Sequence, residues 1–101
     1  MRKSIKTKWI KALRSGQYKQ GQGALYRNGR YCCLGVLCRV METRIKKDSG
    51  MLSDAALEKA QLTDGQHNRL SDLNDGYSTS SGKAMSSKAF DKIADWIEAH
   101  L

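Results

Sequence analysis

Gly23-Ala-Leu-Tyr-Arg-Asn28-Gly29-Arg-Tyr-Cys-Cys33 is the stretch on which the fold turns. Asn28-Gly29 supplies the two positive-φ residues that a two-residue type I′ turn requires, so the flanks pair as an antiparallel hairpin over 23–33. With those two residues as the loop, Arg27 faces Arg30, Tyr26 faces Tyr31, Leu25 faces Cys32 and Ala24 faces Cys33. The period of two along a strand then puts Tyr26 and Tyr31 on one face and the two arginines on the other.

Downstream of the hairpin, Leu34, Leu37, Cys38, Met41 and Ile45 recur at helical spacing, which predicts a central helix over 34–46, apolar at its start and basic at its end. Upstream, Ile5, Trp9, Ala12 and Leu13 fall within about one third of a helical wheel while Lys8, Lys11 and Arg14 point away, giving a first helix over 4–14. Ser15-Gly16 closes it, and 17–23 reads as a polar connector. Beyond the centre, Asp48-Ser49-Gly50 breaks the chain. Ser53 caps a helix over 53–60, with Leu52 and Leu57 as a hydrophobic staple. Thr63-Asp64-Gly65-Gln66 is a capping box opening a helix over 63–74, which stops at Asn74-Asp75-Gly76. The Ser, Thr, Gly and Lys of 76–86 lack the apolar area to order themselves and read as a mobile loop. Ser86 or Ser87 caps a last helix over 87–101, whose Phe90, Ile93, Ala94, Ile97 and Leu101 share a face.

The expected fold class is therefore α+β: one mainly helical domain, 1–101, with a two-stranded antiparallel hairpin packed on the helices, because a lone hairpin is marginal in water. A chain of 101 residues buries only about 60 to 65% of its unfolded surface, so the core is thin.

Charge is spread unevenly. Residues 1–50 hold thirteen Lys or Arg against Glu42 and Asp48, while 51–101 hold five against eight acids; together these give the net +8. A cationic half raises the potential over one surface and favours polyanionic partners, with a merely solvated surface as the alternative. No run of about 18 apolar residues is present, so no membrane span is expected. The basic start lacks the apolar stretch of a signal peptide, and three cysteines, two of them adjacent, suit a reducing cytoplasm.

The first candidate site is the basic surface of Lys3, Lys8, Lys11, Arg14 and Lys19 with Arg27 and Arg30. Two arginines directly opposite each other repel, and a bound anion offsets that cost. Tyr18, Tyr26 and Tyr31 are interleaved with these charges, the composition that base stacking plus phosphate neutralisation requires; a cover over the core is the alternative. The second candidate is Cys33, expected at a helix N-terminus where the dipole lowers a thiol pKa, with His67 as the base of a hydrolase. Buried structural cysteines are the commoner use. Cys33, Cys38 and a histidine could hold zinc only without the paired spacing of structural sites. Gly76 to Ala84 departs from the phosphate-loop pattern in glycine spacing and in its last residue. No cofactor is expected. Trp9 and Trp96 are expected to pack on the hairpin or on each other, an exposed Trp96 marking a protein partner.

The order Trp9-Ile-Lys-Ala-Leu-Arg-Ser-Gly-x-Tyr18-x-Gln-Gly21, Cys32-Cys-Leu-Gly-Val-Leu-Cys38, Leu70-x-x-Leu-Asn-Asp75 and Phe90-x-x-Ile-Ala-Asp-Trp-Ile-Glu98 resembles a group of small uncharacterised proteins of tailed bacteriophages and prophages. That resemblance implies an accessory protein in the bacterial cytoplasm that docks on host machinery such as a CRISPR effector or a restriction enzyme. With the charge, it leads to an expected non-enzymatic inhibitor of host defence, anti-CRISPR-like, that binds nucleic acid or an acidic surface of a host complex. A monomer is favoured. A protein-docking inhibitor using an apolar patch is the second expectation and a cysteine hydrolase the third.

Overall fold

A computed structural model describes residues 1–46, 49–78 and 84–101. In chain order the elements are α1 (Lys3–Arg14), β1 (Lys19–Gln20), β2 (Tyr26–Arg27), β3 (Arg30–Tyr31), α2 (Cys33–Met41), α3 (Asp54–Ala60), α4 (Asp64–Asp75), β4 (Tyr77–Ser78), β5 (Ala84–Met85) and α5 (Phe90–His100). The α+β class, mainly helical, stands.

The Asn28-Gly29 turn forms with φ of 52° and 79° at its two residues, the left-handed pair that a tight hairpin needs. β2 and β3 pair antiparallel in the expected register, Tyr26 with Tyr31 and Arg27 with Arg30. The Cys32 N–H continues the ladder to the Leu25 carbonyl at 3.3 Å. The sheet nevertheless has three strands, not two: β1 lies parallel to β3, in the order β1-β3-β2. The segment expected as a polar connector thus contributes an edge strand. A glycine makes this possible at Gly21, whose N–H donates to the Tyr31 carbonyl at 2.7 Å and where any Cβ would come within 2.7 Å of the Arg30 Cβ.

The chain passes straight from β3 into α2, whose residues 33–38 are all buried. Gly35 sits against the Leu25 carbonyl so closely that an added Cβ would overlap it; the absent side chain is what lets the helix lie on the hairpin strand. Helix α2 ends at Met41 instead of running to residue 46. Glu42 turns left-handed at φ 56° and its N–H returns to the carbonyls of Arg39 and Cys38. Thr43 bonds the Cys38 carbonyl from its backbone N–H at 2.9 Å and its hydroxyl at 3.4 Å, and Lys59 donates to the Met41 carbonyl at 2.7 Å. These bonds satisfy the carbonyls that a longer helix would have used. Ile45, expected on the helix, instead packs on the core from the following segment.

Helix α1 packs on both α2 and α5, and α4 on α2 and α5. Trp9 is fully buried and its indole N–H donates to the Cys33 carbonyl at 2.9 Å, so this tryptophan anchors α1 to α2. Trp96 is half-buried and stacks on His100 with centroids 4.6 Å apart. The core is continuous from α1 to α5, with Leu34, Leu37, Leu70, Ile93 and Ile97 at its centre. Burying a side chain of this kind contributes about 1.5 to 3 kcal/mol.

Ser53 and Thr63 act as the expected caps. The Ser53 hydroxyl accepts from the Ala56 N–H, and Thr63 and Gln66 bond each other's backbone amides at 3.1 and 3.0 Å. The last helix begins later than expected, at Phe90, with Ala89 at its N-cap and no side-chain cap. The serines do not reach it because the preceding chain runs extended, held by the Lys88 N–H on the Leu73 carbonyl at 2.7 Å. The loop expected over 76–86 is bounded by an antiparallel pair, Tyr77 with Met85 and Ser78 with Ala84; residues 79–83 lie outside the described residues.

Candidate functional site

The register of the sheet decides where its charges go. Lys19 pairs with Arg30, and Arg30 with Arg27, and paired residues on neighbouring strands project from the same face. All three are exposed, whereas Gln20, Tyr31 and Tyr26, their neighbours on the other face, are half-buried. A transverse row of three cations therefore crosses the outer face of the sheet. With strands about 4.8 Å apart the row is about 10 Å long. Beside it a recess of about 200 Å³ is lined by Gly21, Gln22, Ala24, Arg27, Asn28 and Arg30. The Arg30 guanidinium is held over the sheet by a 3.3 Å hydrogen bond to the Gln20 carbonyl.

The tyrosines gather on the opposite face. Tyr31 is at the centre, with Tyr18 at 5.2 Å and Tyr26 at 4.9 Å between ring centroids, both edge to face. Arg39 of α2 donates from Nε to the Tyr31 hydroxyl at 3.2 Å and lies 5.7 Å from the ring centroid. That bond raises the Arg39 pKa above its ordinary value. Aromatic and basic residues that alternate in the sequence are thus separated in space. On the strands, alternation sends Tyr26 and Tyr31 to the face opposite Arg27 and Arg30, so the cation row has neither of these rings on its own face.

The basic residues of α1 divide differently. Lys8 and Lys11 are exposed. Arg14, expected in the binding surface, instead bridges to α5, with 2.6 Å to Asp95 and 2.9 Å to Glu98. Its pKa is raised by the hydrogen bonds to Asp95 and then Glu98. The first helix lies against the last, so an acidic helix neutralises part of the charge that the N-terminal half carries. Lys6 joins the same seam through a 3.2 Å bond to the Glu98 carbonyl.

Cys33 does reach the N-terminal end of α2, as expected, yet it is fully buried and its thiol pKa is raised by loss of solvent. Desolvation outweighs the helix dipole here. Its thiol points to the Leu70 carbonyl at 3.6 Å. His67 is also buried; its Nε2 accepts the Leu52 N–H at 3.1 Å, and its Nδ1 has no partner among the described residues. Nucleophile and base are therefore bonded to other groups rather than to each other. Cys32 is buried and its pKa is pushed up to about 11; Cys38 is buried too. Among the described residues no group of three metal-ligating side chains forms, and no helix is long and apolar enough to cross a membrane.

One residue that sequence reasoning passed over as a helix end organises the region. Asn74, fully buried, accepts at its side-chain oxygen from the Cys33 N–H at 3.0 Å and from Gln20 at 3.2 Å. Its amide nitrogen donates to the Gly21 carbonyl and to Asp75, each at 2.8 Å. Asp75 in turn accepts the Gly23 N–H at 3.1 Å. The Asn-Asp pair thus caps α2 from a distance and pins Gly21 and Gly23 in the link between β1 and β2, which helps to place the cation row. The signal available in sequence was an amide-carboxylate pair directly after Leu73; its partners, more than forty residues away, left no mark.

A family model described as a domain of unknown function (DUF8296) matches residues 1–49, the segment that spans α1, the three-stranded sheet and α2. No curated protein matches the chain, and no solved structure does.

Proposed function

We propose that this chain is a non-enzymatic binding protein that engages nucleic acid, or a host complex carrying it, through the basic outer face of its three-stranded sheet. The observation that supports this reading most is the row Lys19, Arg30 and Arg27, three cations side by side on exposed strands. Exposed cations at strand spacing match an array of phosphates, whose counterions they displace on binding. Because the tyrosine rings lie on the other face, the contact is with the sugar-phosphate backbone and does not depend on base identity. The burial of all three thiols supports a role without covalent chemistry. In the phage setting that the motif order implies, such a protein is a stoichiometric inhibitor of a nucleic-acid-handling defence complex in the bacterial cytoplasm.

Fluorescence anisotropy of a labelled 20-base-pair duplex across a salt series tests the reading. Neutralising three phosphates gives a slope of about −2.7 in log affinity against log salt, the same for unrelated duplex sequences. Binding that ignores salt, or that differs sharply between sequences, contradicts it.

A further inference from the structure

Helix α1 carries a second basic surface, on the side that meets α5, and it differs in kind from the sheet row. Lys3, Thr7, Ile10 and Arg14 follow one another at steps of three and four residues, so they form one line along the helix. Two recesses of about 270 and 500 Å³ lie along this line and share Thr7 and Ile10. Ile10 is half-buried and forms an apolar centre. Lys3 and Lys6 border one end, Lys11 and Arg14 the other, and Glu98 of α5 one edge. From Lys3 to Arg14 the helix rises about 16 Å.

Among the described residues the charge of this groove is only partly met. Arg14 and Lys6 are tied to α5, while Lys3 and Lys11 are exposed. The N-terminus of α1 adds to the positive potential, since Arg2 at the N-cap gives no side-chain cap and the first turn holds no acid.

We infer that this groove docks an acidic segment of a partner protein, with one apolar side chain on Ile10 and carboxylates at each end on Lys3 and Lys11. Lys3 and Lys11 lie about 12 Å apart along the helix, a distance that about four extended residues span. A polynucleotide fits less well, because its charge repeats along its whole length and offers no aliphatic group to the Ile10 centre. The inference stands on residues of α1 and α5 alone and is independent of the sheet reading.

The probe is a fluorescein-labelled peptide with a leucine-phenylalanine-leucine centre flanked by two glutamates on each side, titrated with the full chain. Saturable binding is expected, weakened at least tenfold by the double variant Lys3→Glu/Lys11→Glu, whose positions are exposed and leave the core intact. Ile10→Ser, checked for folding by circular dichroism, weakens it as well, and Lys19→Glu/Arg30→Glu leaves it within twofold. Three results overturn the inference: no saturation at millimolar protein, equal affinity for a peptide with a serine-glycine-serine centre, or unchanged affinity in the double lysine variant.

Discussion

The side-chain oxygen of Asn74 accepts a hydrogen bond from the backbone N–H of Cys33, 41 positions earlier in the chain. That bond joins the end of α4 to the start of α2, beside the 3.6 Å contact of the Cys33 thiol with the Leu70 carbonyl. It replaces the local cap that α2 lacks, since Cys32 at the N-cap gives no side-chain bond.

Asn74→Ala is expected to destabilise the fold by about 2 to 4 kcal/mol, because it leaves the Cys33 N–H and the Gly21 carbonyl without their bonds in a buried place. Asn74→Asp keeps the acceptor and loses the donor to Gly21, and should also destabilise the chain. Urea unfolding followed by tryptophan fluorescence measures both. A midpoint shift within error for the alanine variant would show that the network is incidental.

Gly35→Ala inverts a familiar rule. Alanine in place of glycine inside a helix ordinarily gains about 1 kcal/mol. Here the new Cβ overlaps the Leu25 carbonyl, so a loss of about 1 to 3 kcal/mol from overpacking is expected instead. A lowered melting temperature checks the sign. A raised one would mean that α2 does not rest against the hairpin strand.

How far the sequence showed this molecule depends on the range of the interaction concerned. The hairpin register followed from Asn28-Gly29, and the caps at Ser53 and Thr63 followed from residues three positions apart, because the physics there is local. The expected helix over 34–46 overshoots the end of α2 by five residues, since Ile45 keeps the apolar period after Glu42 has already turned the chain. Strand β1 was hidden because two residues carry no period, and its pairing depends on the lack of a Cβ at Gly21. Of the candidate site, Lys19, Arg27 and Arg30 were read from sequence and the structure brings them into one row. Arg14 was not separable from them, because its partners Asp95 and Glu98 lie more than eighty residues away. The full burial of Cys33 was not legible from its place at a helix start, because depth of burial is a tertiary property.

The thiols predict a pH dependence. Burial raises the pKa of Cys32 from its ordinary value near 9 to about 11 and raises those of Cys33 and Cys38 in the same direction. The folded chain therefore favours the protonated thiol. This contribution is fully present below pH 9 and is lost as pH climbs through the folded values. Stability should fall between about pH 9 and 11, and Cys32→Ala should flatten that fall. Native thiols should also react slowly with a maleimide at pH 8 and quickly in urea. Rapid labelling of Cys33 without denaturant would contradict its burial.

Arg14 and Arg30 make a second discriminating pair. Arg14→Ala breaks an exposed bridge to α5 and should leave duplex affinity within about twofold. Arg30→Ala removes the centre of the cation row and should weaken binding about equally for all sequences, lowering the salt slope by about 1. Parallel anisotropy titrations separate them. Equal losses for the two would mean that duplex affinity does not depend on the sheet row in particular.

Chemical-shift mapping on the folded chain locates the contact surface. In a ¹⁵N–¹H correlation spectrum recorded while a short duplex is titrated in low salt, shifts are expected to concentrate at Lys19, Arg27, Asn28 and Arg30, with Tyr18 and Arg39 little changed. Shifts centred on the tyrosine face or on α5, with the cation row silent, would contradict binding through the sheet.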